Sequence, residues 1–151
     1  MHLTYRPALP DDAVQCVSIR ARTRENAVSE ARLRAIGITP KSWSEDIRSG
    51  ALPGHVCAVG GDIVGYCFGA RDTGEIVVLA LLPEFEDRGI GRELLRRTVK
   101  DLAKLGHRRL FLGCSADPNS RSYGFYRHLG WRPTGRCDRH GDEILEMSVA
   151  P

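Results

Sequence analysis

The chain has 151 residues, 42% of them hydrophobic, and a formal net charge of +3, which suffices for one domain around one core but not for two, so residues 1–151 are expected to form a single domain. The positive side chains are scattered rather than gathered into a tail, so nucleic acid is not an expected partner. No stretch reaches membrane-spanning length and none follows a leader pattern, so a soluble, cytoplasmic protein without a membrane partner is the expectation.

Leu3 to Arg6 alternates as a strand does, and Pro10-Asp11-Asp12 supplies start signals for a helix to about Arg22, with Ala13, Val14, Val17 and Ile19 on its buried face. The polar stretch Thr23-Arg24-Glu25-Asn26 precedes a short helix from Ser29 that Gly37 ends. Thr39 caps a further helix with Pro40 at its first position; Trp43 and Ile47 lie on it before Gly50. His55 to Val59 and Ile63 to Ala70 read as strands joined through Gly60-Gly61-Asp62, a hairpin signal. Asp72-Thr73-Gly74 then turns the chain into a third antiparallel strand, Ile76 to Leu82, ended by Pro83.

A long helix follows, with Ile90, Leu94, Leu95, Val99, Leu102 and Leu105 at helical spacing and Gly106 as its C-cap. Arg108 to Gly113 is a further strand, and a right-handed crossover sets it parallel to Ile76–Leu82. A helix from about Pro118 to Leu129 and two strands, around Arg132 to Arg136 and Glu143 to Val149, complete the chain. The fold class is α/β of the α+β type: one mixed, mostly antiparallel twisted sheet of about seven strands with flanking helices.

Chemistry enters at Arg88-Gly89-Ile90-Gly91-Arg92, where two glycines strip side chains from the backbone as it enters the long helix. Bare amides at a helix N-terminus attract anions, and Arg88 and Arg92 flank them with forks suited to phosphate. A dinucleotide-binding turn needs a third glycine where Leu94 stands, and a P-loop needs Gly-Lys-Ser/Thr, which is absent. The stretch from Glu86 to Gly91 instead resembles the Gln/Arg-x-x-Gly-x-Gly/Ala segment of the GNAT superfamily, the general-control-related N-acetyltransferases. Gly89 and Gly91 hold the glycine positions, and Glu86 departs from the pattern. A second segment, Asn119-Ser120-Arg121-Ser122-Tyr123-Gly124-Phe125-Tyr126-Arg127-His128-Leu129-Gly130-Trp131, resembles that family's Asn-x-x-Ala/Ser-x-x-x-Tyr-x-x-x-Gly-Phe/Trp signature.

The resemblance implies an N-acetyltransferase that moves an acetyl group from acetyl-CoA, its cosubstrate, to a primary amine by direct attack in a ternary complex. It implies that the turn of Glu86, Asp87, Arg88, Gly89, Ile90, Gly91 and Arg92 holds the pyrophosphate, with Glu86 unable to make the side-chain contact that glutamine or arginine makes from its position. Strands 4 and 5 should be parallel and splayed, admitting the pantetheine arm as though it were a strand. A bulge and a carbonyl-polarising amide are expected around Leu79, Ala80 and Leu81. Asn119, Ser122, Tyr123 and Tyr126 belong to the implied cofactor-binding set. Asn119 is matched to a hydrogen bond with the arm, although after Asp117-Pro118 it also reads as a helix cap. Tyr126 is matched to the phenol that protonates the leaving thiolate; Tyr123, one turn earlier, shares its face.

Glu75 is the candidate general base, since an acid heading an apolar strand is desolvated and its pKa rises if no cation pairs with it. The run Glu75-Ile76-Val77-Val78 also resembles the histone-acetyltransferase branch; an exposed strand-end glutamate is the alternative. The resemblance places residues 20 to 50 over the cofactor end of the acceptor cleft; which of Arg22, Arg24, Glu25, Asn26 or Trp43 meets an acceptor stays open, and a surface or core role is the plainer reading of each. The acceptor itself, a small-molecule amine or a peptide or protein amine, is equally open, as is a homodimer. A non-catalytic acyl-CoA-binding sensor is the alternative reading of the whole chain. Cys16, Cys57, Cys67, Cys114 and Cys137 form no Cys-x-x-Cys pair, so neither a disulfide framework nor a zinc site is expected. Cys114 reads as a buried thiol rather than a nucleophile. The histidines show no metal spacing, and His128 and His140 read as surface or packing residues; no metal is expected.

Overall fold

A computed structural model describes residues 2–25 and 27–150. Strands β1 (Thr4–Pro7), β2 (Gly54–Val59), β3 (Asp62–Gly69) and β4 (Ile76–Leu81) form an antiparallel sheet in that order. A second antiparallel sheet contains β5 (Arg109–Cys114), β6 (Arg132–Cys137) and β7 (Glu143–Ser148), with β7 in the middle. Helices α1 (Ala13–Arg20), α2 (Glu30–Ala35) and α3 (Pro40–Ser49) lie between β1 and β2, α4 (Ile90–Lys104) joins β4 to β5, and α5 (Arg121–His128) joins β5 to β6.

The single seven-stranded sheet expected from the sequence is thus divided into four strands and three. A parallel bridge between Glu75 and Phe111 joins them, with the Phe111 amide donating to the Gly74 carbonyl at 3.4 Å. Beyond it β4 and β5 diverge, and among the described residues their facing edges carry no further pairing. A bulge lies at this point. Phe68 pairs with Val78 and Gly69 with Ile76, so Val77 is the extra residue in β4. An inserted residue bends a strand and sharpens its twist, which carries β4 away from β5. The bulge therefore sits earlier than the expected Leu79 to Leu81, which pair in unbroken register with Cys67, Tyr66 and Gly65.

Alternation along β2 and β3 feeds a core on each face of the first sheet. On one face Cys57, Val64 and Cys67 pack with Ile90, Leu94 and Leu102 of α4 and with Leu110 and Leu145 of the second sheet. On the other, Val56, Tyr66 and Phe68 meet Val17, Ile19 and Trp43, whose ring stands edge-on to Tyr66 and Phe68 at 5.8 and 5.4 Å. Val14, expected on the buried face of α1, is 63% exposed. The helix begins only at Ala13, after a 3-10 turn at Pro10–Asp12, and its inward stripe is Ala13, Cys16, Val17 and Ile19. Leu105 lies past the end of α4 and is also exposed. Cys16, Cys57, Cys67 and Cys114 are buried and Cys137 is exposed. Burial pushes the Cys67 thiol up to about 12. No helix among the described residues is long and apolar enough to cross a membrane.

Candidate active site

The divergence of β4 and β5 opens a cleft of about 460 Å³. One wall is the unpaired edge of β4, from Ile76 to Leu81, and the other carries Gly113, Cys114 and Ser115 at the end of β5. The first turn of α4 and the residues Ser122, Phe125 and Tyr126 of α5 close it in.

At the α4 end the backbone is prepared for an anion. Asp87 and Gly89 take left-handed φ values of 62° and 79°, a conformation that glycine adopts freely and aspartate tolerates. Gly89 is the N-cap without a side-chain hydrogen bond, and the first bond of the helix runs from the Glu93 amide to the Gly89 carbonyl at 3.1 Å. The amides of Ile90, Gly91 and Arg92 therefore have no acceptor inside the helix and sit at its positive end. A Cβ on Gly91 would come to 3.6 Å from Phe125 and 3.9 Å from Leu79, ordinary contact distances. Packing does not demand glycine here; its absent side chain leaves the backbone open to the cleft.

Glu86, the residue that departs from the family pattern, is held between two arginines. Its side chain is 9% exposed. Arg24 donates through Nε to both carboxylate oxygens, at 2.5 and 3.2 Å, and Arg121 Nε lies 3.2 Å from Oε2. Arg121 also donates through Nη1 to Asp87 at 3.1 Å, while its amide donates to the Glu25 carboxylate at 2.9 Å. Arg24, Glu25, Glu86 and Arg121 all line the cleft.

Tyr126 lines the cleft with its ring buried, edge-on to Phe125 and Trp131 at 5.0 and 6.2 Å. Burial, and then the neighbouring thiols of Cys67 and Cys114, push its phenol well above the ordinary value. Ser122 has a buried hydroxyl with no hydrogen-bond partner among the described residues. Cys114 donates to the Ser115 carbonyl at 3.7 Å, and burial raises its pKa, which keeps it in the thiol form.

Glu75 sits at the parallel bridge, the closed end of the split, outside the cleft walls among the described residues. Burial raises its carboxyl and the charge of Asp138 raises it further. Asp138 and Asp142 crowd Gly113: a Cβ there would meet them at 3.1 and 3.6 Å. This end of the cleft, where Asp142 forms part of the wall, is acidic, and the α4 end is rich in arginine.

The structure gathers Leu79, Ala80, Leu81, Glu86, Asp87, Gly89, Ile90, Gly91, Arg92, Ser122 and Tyr126 around one cleft. Arg88, Asn119 and Tyr123 stand outside its walls among the described residues. The Arg88 guanidinium lies 5.5 Å over the Phe85 ring, and Arg127 lies 3.6 Å over Tyr123. Asn119 donates its amide to Asp117 at 2.9 Å, and Ser120 rather than Asn119 holds the N-cap of α5, without a side-chain bond. Asn26 lies outside the described residues. Arg24 and Glu25, two of the residues weighed for acceptor contact, stand at the α4 end of the cleft, and sequence reasoning misses Arg121 and Asp142 as wall residues. Arg121 stands inside the second signature segment, so its position could have pointed to it; Asp142 carries no local signal.

The Acetyltransferase (GNAT) family model matches residues 15–131. Among solved structures, PaiA N-acetyltransferase from Thermoplasma acidophilum, in complex with coenzyme A, superposes with a TM-score of 0.81 at 20% identity, covering 99% of this chain and 100% of that one. YncA from Salmonella typhimurium, solved with its cofactor acetyl-CoA, gives 0.71 at 17% identity, covering 100% and 98%. The ribosomal-protein-S18-alanine N-acetyltransferase from Escherichia coli gives 0.69 at 18% identity, covering 99% and 97%. The overall fold is thus one that acetyltransferases adopt. The chain belongs to the GNAT acetyltransferase family.

Proposed function

We propose that this protein transfers an acetyl group from acetyl-CoA to the nitrogen of a primary amine. The observation that carries the reading is the unpaired edge of β4 running up to the free amides at the start of α4. An arm of alternating amide donors and acceptors can pair with such an edge, and a diphosphate can cap such a helix. The residues fit that cosubstrate: the Ile90, Gly91 and Arg92 amides would hold its diphosphate, Leu79 to Leu81 would pair its arm, and the orphaned Ser122 hydroxyl would gain a partner. Bound there, it supplies an activated acetyl thioester. PaiA and YncA were solved with coenzyme A and acetyl-CoA, which supports the assignment by likeness of fold.

The chain's own groups divide the proton chemistry. As the amine nitrogen bonds to the acetyl carbon and the carbon–sulfur bond breaks, Tyr126 gives its proton to the departing sulfur, and the proton that the nitrogen sheds on becoming an amide restores the phenol through water. Burial raises the phenol pKa, so the hydroxyl carries its proton at neutral pH. An alkylammonium with a pKa of about 10.4 must first lose a proton, and Glu75 takes it, directly or through water. The elevated carboxyl of Glu75 makes it a better base than an ordinary surface glutamate. Asp142 and Asp138 give the acceptor end a negative field, which favours a cationic amine.

The test is incubation with acetyl-CoA and a panel of amines and lysine peptides, following free thiol by a colorimetric reagent and products by mass spectrometry. Thiol release matched by acetylated amine is expected. Thiol release with no acetylated product, or neither signal, overturns the reading.

A further inference from the structure

We propose that Glu86 is a positioning residue that holds Arg24 and Arg121 as two guanidinium ligands for a phosphate group of the cosubstrate's nucleotide. The inference rests on the acetyl-CoA reading above and adds residues to it.

A carboxylate beside an anion-binding turn should repel its ligand, yet Glu86 is almost withdrawn from solvent, with 9% of its side chain exposed. Its two partners turn cationic tips outward, beside the carboxylates of Asp87, 81% exposed, and Glu25, each of which bonds to Arg121. Arg24 spends only its Nε on Glu86, at 2.5 and 3.2 Å, and its two terminal amino groups make no hydrogen bond among the described residues. Arg121 meets Glu86 through Nε at 3.2 Å and Asp87 through Nη1 at 3.1 Å, and its Nη2 makes no hydrogen bond among the described residues. Both side chains stay open at their tips, 61% and 47% exposed, and both line the cleft with Gly89, Ile90 and Gly91.

Geometry explains why a carboxylate does this better than the residue the family pattern would place there. A glutamine at position 86 can meet a phosphate itself but cannot pin two guanidinium groups by charge. The two arginines come from distant segments, the loop after α1 and the first turn of α5. A planar fork held by one edge presents its remaining N–H groups in a fixed direction, which suits bidentate contact with phosphate. The Glu25 carboxylate, which accepts from the Arg121 amide at 2.9 Å, steadies the start of α5 from the same loop. The phosphate is either the diphosphate bridge or the 3′-phosphate, and the two are separable by ligand.

Isothermal titration calorimetry of the full chain with CoA and with 3′-dephospho-CoA tests this, for the parent and for Arg24→Ala, Arg121→Ala and Glu86→Ala. Each variant is expected to weaken CoA binding by about tenfold to 150-fold, the effect of losing one charge-assisted hydrogen bond. Glu86→Ala is decisive, because removing a negative charge from an anion site would by charge alone tighten binding. If the arginine effects persist with 3′-dephospho-CoA, the group is the diphosphate; if they vanish, it is the 3′-phosphate. CoA binding within twofold of the parent in any of the three variants, or tighter CoA binding in Glu86→Ala, overturns the proposal. A parent that binds neither ligand overturns the acetyl-CoA reading instead. Should Glu86→Ala lose its fold, Glu86→Met keeps the bulk with neither a charge nor a phosphate donor and carries the same comparison.

Discussion

Tyr126 is a buried phenol whose hydroxyl has no hydrogen-bonded partner among the described residues. Tyr126→Phe therefore removes little that holds the fold and removes the proton assigned to the leaving sulfur. Steady-state assays should show kcat lowered by about 10²-fold or more, with CoA affinity by calorimetry unchanged and the melting temperature close to that of the parent. Glu75 gives a prediction with a sign. Its carboxyl is raised by burial and by Asp138, so the folded protein binds its proton more tightly than the unfolded chain does. Between the ordinary carboxylate range and the raised value, stability falls as pH rises, because the native state must give up a proton it prefers to keep. Glu75→Gln should therefore melt higher than the parent at neutral pH. The same substitution should lower kcat/KM and erase the rise of rate with pH that an essential base produces.

At the turn into α4 the two glycines have different tasks. Gly89 holds a φ of 79°, and an L side chain there costs about 1–2 kcal/mol, so Gly89→Ala should lower the free energy of unfolding in urea by that amount. Gly91 is inside the helix, with room for a methyl beside Phe125. Gly91→Ala should stabilise by up to about 1 kcal/mol. The helix itself could be read from the sequence because its apolar period and its glycine start are local. Gly60-Gly61 and Thr39-Pro40 were legible for the same reason, since turn and cap chemistry is written in adjacent residues. The bulge at Val77 was not, because it is a mismatch of register between β3 and β4, which neither strand records alone. Nor was the clasp on Glu86, whose partner Arg24 is 62 residues away. Of the second signature segment, Ser122 and Tyr126 line the cleft, while Asn119, ahead of α5, and Tyr123, beneath the Arg127 guanidinium, stand outside its walls among the described residues. Here α5 starts at Arg121, later than Pro118.

Across the whole molecule, the two sheets meet at one bridge among the described residues and part beyond it, which leaves one edge of β4 without a strand partner along the cleft. Hydrogen exchange should find Leu79 to Leu81 and the first turn of α4 exchanging faster than β2 and β3, and slowing when CoA is added. Exchange unaltered by CoA at those positions would place the ligand elsewhere. The distribution of thiols has a practical consequence. Four are shut inside and Cys137 alone is open, one residue before Asp138 at the acidic end of the split. A maleimide dye added to the unmodified protein should therefore attach at a single place. It would create, without mutagenesis, an optical reporter that brightens or dims as an acceptor arrives.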